Sequence, residues 1–145
     1  MLKIGKDSFR KCYIKELELP EGLTHIGKAA FAYNEIKVLR IPKSLKTLPA
    51  NAFYGCTALS SVNIPSKVTS IGAEAFYNCG KITAVSLPNG LLTIGDSAFE
   101  GCTNLESVVF QNCTDFLLDG FFVPGYALLF HFQNTSSGAN FHRSG

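Results

Sequence analysis

Apolar positions return along this chain with a long period, not the short rhythm of a single helix. Phe9, Phe31, Phe53, Phe76 and Phe99 are separated by 22, 22, 23 and 23 residues. Ile4, Ile26, Leu48, Ile71 and Ile94 keep the same phase, and Pro20, Pro42, Pro65 and Pro88 follow at intervals of 22, 23 and 23. A fixed period of this length is the mark of a stacked repeat, in which one structural unit recurs and buries its apolar face against its neighbours.

Each unit has two halves. The first reads Ile-Gly-x-x-Ala-Phe, as at Ile26 to Phe31 and Ile94 to Phe99. Small residues around one large aromatic predict a tight turn or a short helical turn. The second half alternates, as in Leu59-Ser-Ser-Val62-Asn-Ile64-Pro65 and Ile82-Thr-Ala-Val85-Ser-Leu87-Pro88. Apolar residues two apart predict a short strand with one inward face. Proline then ends the strand, because it has no N–H to give to a sheet ladder. A further apolar residue (Leu23, Leu45, Val68, Leu91) leads into the next coil, and His25, Thr47, Ser70 and Thr93 fill a polar loop position behind it.

No coil can bury its phenylalanine and strand residues alone, so the coils must stack with their strands parallel, about 4.8 Å apart. The predicted fold is a right-handed solenoid of about five coils, with short parallel strands on one face and turns on the other. The coils start near Ile4, Ile26, Leu48, Ile71 and Ile94, and the repeat region runs over residues 1–114.

The unit Ile71-Gly-Ala-Glu-Ala-Phe76-Tyr-Asn-Cys79-Gly-Lys-Ile82-Thr-Ala-Val85-Ser-Leu87-Pro88 resembles the BspA-like leucine-rich repeats, found on bacterial surfaces and in some parasitic protists. The resemblance extends from residue 4 to about 114 and recurs in almost every coil. It implies a leucine-rich-repeat fold, a non-enzymatic protein-binding role of the adhesion type, and a place at the cell surface or outside the cell. Relatives of this kind usually carry a secretion signal and often more repeats, whereas residues 1–7 hold no apolar leader and the repeat stops after Phe110.

Register along the strands selects the residues that face outward. These are Glu16 and Glu18 in the first coil, Val38 and Arg40 in the second, and Ser61 and Asn63 in the third. Ala84 and Ser86, then Ser107 and Val109, continue the row. This strand face is the candidate binding surface for a protein partner. It passes from charged in the first coils to small and neutral in the later ones, and holds no cluster of aromatic anchors. Glu18 and Arg40 are expected to form a cross-strand ion pair, while Lys15, Glu16 and Glu18 would guard the edge of the first strand.

A second row is structural. Cys12, Cys56, Cys79 and Cys102 each stand three residues after the repeat phenylalanine, with Asn34 in the same place in the second coil. Cysteine and asparagine exchange in this way when an inward side chain bonds to turn backbone. No Cys-x-x-Cys pair exists, so a metal site is not expected. The fifth cysteine, Cys113, lies outside the row, and an odd total excludes complete pairing within one chain.

Charge changes the picture modestly. Residues 1–48 hold ten Lys and Arg against five acids, a balance of +5, and the remainder holds three against six, or −3. Without interleaved aromatic and basic residues, a nucleic-acid partner is not expected. The three histidines form no constellation, and neither a nucleophile elbow nor a phosphate-binding loop occurs, so no catalytic residue, enzyme activity or cofactor is expected. Residues 115–132 break the repeat with a dense apolar run, Phe116 to Phe132, that would cap the last coil or support self-association. End-to-end assembly through it is the alternative function. Membrane contact there is not expected, because Asp119, Pro124 and His131 interrupt it. Residues 133–145 read as a polar, frayed tail. Asn112 and Asn134 match glycosylation sequons, as chance alone would produce.

Overall fold

The computed structural model describes residues 1–111, 130–135 and 138–143. Most of the 115–132 segment and Cys113 lie outside the described residues. The repeats form a parallel β-solenoid of about five turns, and no helix occurs among the described residues.

Two rows of short strands run along the stack. The row anticipated from the alternation comprises β3 (Val38–Arg40), β5 (Ser61–Asn63), β7 (Ala84–Leu87) and β9 (Ser107–Gln111). β3 pairs in parallel with β5, and β7 with β9, each residue opposite its counterpart in the next coil. The second row comprises β1 (Leu2–Ile4), β2 (Leu23–Ile26), β4 (Thr47–Leu48), β6 (Ser70–Ile71) and β8 (Thr93–Ile94). β1 pairs with β2, and β4 with β6 and then β8, again in parallel. The polar position of His25, Thr47, Ser70 and Thr93 is therefore strand rather than loop, with His25 opposite Lys3.

The glycine after each of these strands permits the close approach of coils. A Cβ on Gly27, Gly72 or Gly95 would fall on backbone atoms of the preceding coil. Their N–H groups instead donate to Ile4, Leu48 and Ile71 carbonyls, each at 2.8 Å. The recurring Ile-Gly is thus a packing device.

On the turn side the backbone also bonds between coils. The N–H groups of Phe9, Phe31, Phe53 and Phe76 donate to the carbonyls of Ala30, Ala52, Ala75 and Ala98 at 2.8–3.0 Å. A helical turn would direct these donors back into their own coil. Positive φ at Asp7, Ala29, Asn51, Glu74 and Ser97, between 55° and 58°, turns the chain away from that path. Such conformations cost a non-glycine residue about 1 kcal/mol, and the inter-coil bonds they permit offset it. The alternative of a helical turn is therefore not taken up.

Between the two sides lies the core. Leu39, Leu59, Ile82 and Val85 point inward from the strand side, and Phe31, Phe53 and Phe76 from the turn side, all buried. The five repeat phenylalanines stack in one column, successive ring centroids 5.3–5.7 Å apart and within 10° of parallel. Burying one such ring contributes on the order of 3 kcal/mol, and aromatic pairing adds to it.

Two regions depart from expectation. Residues 15–21 form no strand, so Glu16 and Glu18 do not extend the paired row. Residues 130–135 and 138–143, read as the end of the apolar run and a frayed tail, form β10 (Phe130–Thr135) and β11 (Gly138–Arg143). These make an antiparallel hairpin, and β11 pairs with β9 from Gly138 opposite Gln111 to His142 opposite Ser107. The open edge of β9 offers unpaired backbone groups, which a polar segment satisfies as well as an apolar one.

Candidate functional site

The structure places eight of the ten predicted face residues on two parallel strand pairs, β3–β5 and β7–β9. Opposite Val38 stands Ser61, opposite Arg40 stands Asn63, opposite Ala84 stands Ser107, and opposite Ser86 stands Val109. Val38, Arg40, Ser61, Asn63 and Ala84 are exposed, while Ser86, Ser107 and Val109 are half-buried. Alternation explains this directly, since the intervening Leu39, Val85 and Val108 are buried and each pair of neighbours must face outward. Gln111 adds a side-chain amide to the face by donating to the Ser86 hydroxyl at 2.8 Å.

Glu16 and Glu18 sit apart from this ladder. The segment 15–21 and β3 flank a cleft of about 850 Å³, into which Glu16, Glu18, Lys37, Val38 and Arg40 contribute. The expected Glu18–Arg40 ion pair is not formed. Lys15 instead reaches Glu35 at 3.8 Å. An exposed pair gains well under about 1 kcal/mol, too little to hold two long side chains across an open cleft. At its charged end the strand face is therefore a groove, and at its neutral end a shallow sheet.

The cysteine row faces inward from the turns. The thiols of Cys56, Cys79 and Cys102 donate to the carbonyls of Phe31, Phe53 and Phe76 in the preceding coil, at 3.3, 3.3 and 3.2 Å. Burial, partly offset by backbone hydrogen bonds, pushes the Cys56 thiol up to about 11 and Cys102 up to about 12. Burial raises Cys79 as well, aided by the neighbouring thiols. A thiol held protonated is a poor nucleophile and a poor metal ligand. Asn34 does more than a thiol could. Its amide nitrogen donates to the Phe9 and Phe31 carbonyls at 2.8 and 2.9 Å, and its oxygen accepts from the N–H groups of Cys12 and Ile14 at 3.1 and 3.0 Å. Cys12 itself is exposed, with its thiol directed at the Arg10 carbonyl. Among the described residues no group of three His, Cys, Asp or Glu is placed to hold a metal.

One feature of the turn side has no counterpart in the sequence reading. Tyr33, Tyr54 and Tyr77 form a second aromatic column on the surface, with centroids 5.3 Å apart in the tilted first pair and 4.8 Å in the stacked second. The Arg10 guanidinium lies 5.3 Å from the Tyr33 ring centre and the Lys11 ammonium 5.4 Å. Tyr33 stands two residues after its phenylalanine, and the other two stand one after, so a search at fixed phase does not align them.

Comparison with known proteins decides the family. The profile of the BspA type leucine rich repeat region, which contains six copies, matches residues 2–123. The chain belongs to the BspA-type leucine-rich-repeat family. Among solved structures it is similar to the leucine-rich repeat protein TpLRR of T. pallidum, at 29% identity and a TM-score of 0.72, over 74% of this chain and 51% of that one. A leucine-rich repeat protein from Bacteroides ovatus shares 35% identity at a TM-score of 0.70, over 74% of this chain and 28% of that one. A leucine rich cell surface protein from Faecalibacterium prausnitzii shares the fold at 23% identity, with a TM-score of 0.70 over 94% of this chain and 34% of that one. The chain spans about half or less of the length of these leucine-rich repeat proteins. No curated protein matches it by sequence. Leucine-rich-repeat proteins are in general protein-interaction modules, and the family is one of binding repeats rather than enzymes.

Proposed function

We propose that this chain recognises a protein partner through its strand face, as an adhesion-type module at a cell surface. The observation that carries this reading is the row of outward residues, in register within the β3–β5 pair and within the β7–β9 pair, opening into the cleft beside Arg40. Side chains held by a rigid ladder are pre-organised, so a partner that fits them loses little ordering entropy on binding. The named surface location of the Faecalibacterium protein supports the localisation by fold likeness alone.

The test is binding of the purified chain to a panel of matrix and cell-surface proteins, with light scattering on the same sample. The expected result is saturable binding by a monomer, weakened on the order of tenfold by Arg40→Glu. Binding that ignores Arg40→Glu and Asn63→Lys would move the site off this face. Concentration-dependent oligomers without partner binding would favour the alternative, a self-assembling role.

A further inference from the structure

A second face of the molecule, the turn side of the first three coils, carries features that packing does not require. At the second position after the repeat phenylalanine every coil adopts positive φ: Lys11 at 55°, Tyr33 at 59°, Gly55 at 69°, Asn78 at 58° and Gly101 at 77°. The backbone has one reason for this in the inner coils. The N–H groups of Tyr33, Gly55 and Asn78 donate to carbonyls of the following coil at 2.7, 2.7 and 2.8 Å. Glycine and asparagine satisfy that demand at little cost, whereas an aromatic residue in the left-handed region is strained by about 1–2 kcal/mol. Tyr33 accepts the strain and remains 41% exposed. The inter-coil bond offsets that strain as it does at Ala29 and Glu74, so it is the exposed ring, where later coils carry glycine or asparagine, that points to a use outside folding.

Its surroundings indicate what that use is. The Tyr33 ring lies against Gly55, where an added Cβ would approach its Cδ1 at 2.7 Å, so the third coil leaves room for it. Arg10 and Lys11 lie close to the same ring, and Tyr13 stands nearby in sequence, 74% exposed. Beside them a cavity of about 350 Å³ is lined by Lys6, Arg10, Lys28, Tyr33 and Tyr54 among others. The acids at this cavity are already engaged: Asp7 with Arg10 at 3.5 Å and Lys6 at 4.0 Å, Glu74 with the Asn51 amide at 2.6 Å. Lys11 and Lys28 form no ion pair among the described residues.

We infer that this turn-side tyrosine row, with Arg10, Lys11 and Lys28, is a second interaction surface, and that it takes an acidic peptide segment carrying an aromatic residue. Tyrosine and arginine are the side chains that dominate protein-binding hot spots, because they offer broad, stiff contact area with a polar tip. Uncompensated lysines select carboxylates, and the phenol faces select an aromatic ring between them. The outward positions of the strand face from Val38 to Val109, by contrast, hold no aromatic residue. The two surfaces lie on opposite halves of each coil and are independent, so either can fail without the other.

A Glu-rich random copolymer of glutamate and tyrosine serves as the probe, measured by fluorescence anisotropy against the whole chain. Polyglutamate tests charge without rings, and heparin tests a polysaccharide anion. The expected result is saturable binding of the copolymer, stronger than of polyglutamate or heparin. Tyr33→Asn and Arg10→Ala should each weaken it on the order of tenfold, and Lys67→Ala should leave it unchanged. Tyr33→Asn keeps a residue already used at Asn78 in the same turn, so its urea midpoint should equal or exceed that of the parent chain; Arg10→Ala gives a second reading on an exposed side chain. Equal affinity of the parent and both variants would overturn the inference. So would heparin binding more tightly than the copolymer, or an absence of copolymer binding.

Discussion

The third to fifth coils and the first two are built on one period, yet they differ in what they place on it. In the later coils the ladder position is cysteine, the left-handed position two residues after the phenylalanine is glycine or asparagine, and the strand face is small and neutral. In the second coil the same three positions hold Asn34, Tyr33 and Arg40. The later coils are close to what stacking alone requires. The second coil spends stability on a strained tyrosine, an extra set of hydrogen bonds and an exposed charge. Positions where the repeat is kept report packing, and positions where it is broken are the candidates for recognition.

The strongest way to break this comparison is to remove the element both regions share. Phe76→Ala should cost about 3–5 kcal/mol in urea denaturation, because the ring is buried in the column and the rigid coils on either side cannot close the cavity. A near-neutral result would mean that the column does not hold the coils in register. Asn34→Ala comes next, at about 2–4 kcal/mol, since it strands the N–H groups of Cys12 and Ile14 and the Phe9 carbonyl at once, while the Phe31 carbonyl keeps the Cys56 thiol. Cys79→Ala, which removes one of two hydrogen bonds to the Phe53 carbonyl, should cost clearly less. Equal losses would erase the distinction between the two kinds of ladder residue.

The thiols sharpen the contrast through pH. Folding raises the thiol values of Cys56, Cys79 and Cys102 above that of an unfolded cysteine, near 8.5. The native state therefore holds more protons than the unfolded state above that pH. Stability should be constant below about pH 8.5 and fall as pH rises through 9 toward 11, by up to about 1.4 kcal/mol per pH unit for each thiol. Chemical denaturation across that range should show the slope, and Cys79→Asn should reduce it. A flat profile would place these side chains in water. The smallest effect belongs to the strand face, where Asn63→Lys should change stability by less than about 0.5 kcal/mol; a loss above 2 kcal/mol would put Asn63 in the core.

Much of this fold was legible in the residues because three markers share one phase. The phenylalanines, the prolines and the Ile-Gly pairs located the coils, and period-two alternation located β5, β7 and β9. The second strand row was not legible: Thr47–Leu48, Ser70–Ile71 and Thr93–Ile94 are two residues long and too short to alternate. The residues of the turn side fit either a tight turn or a helical turn, because positive φ at Ala29 and Glu74 has no signature in residues that ordinarily avoid it. The tyrosine column is hidden in the sequence for a related reason, since Tyr33 and Tyr54 sit at different offsets and meet through the stacking of coils. The strand face itself followed from alternation. The open cleft at Glu16 and Glu18 did not, because local pattern says nothing of whether an end coil pairs.

The most direct test is to return the second coil to the plain repeat. The double variant Tyr33→Asn with Arg40→Asn gives it residues already used at Asn78 and Asn63, and both urea stability and binding to the surface-protein panel and the copolymer would be measured. The expected result is a midpoint equal to or above that of the parent chain together with binding to both weakened on the order of tenfold. Binding retained in full would contradict it, and so would a large loss of stability.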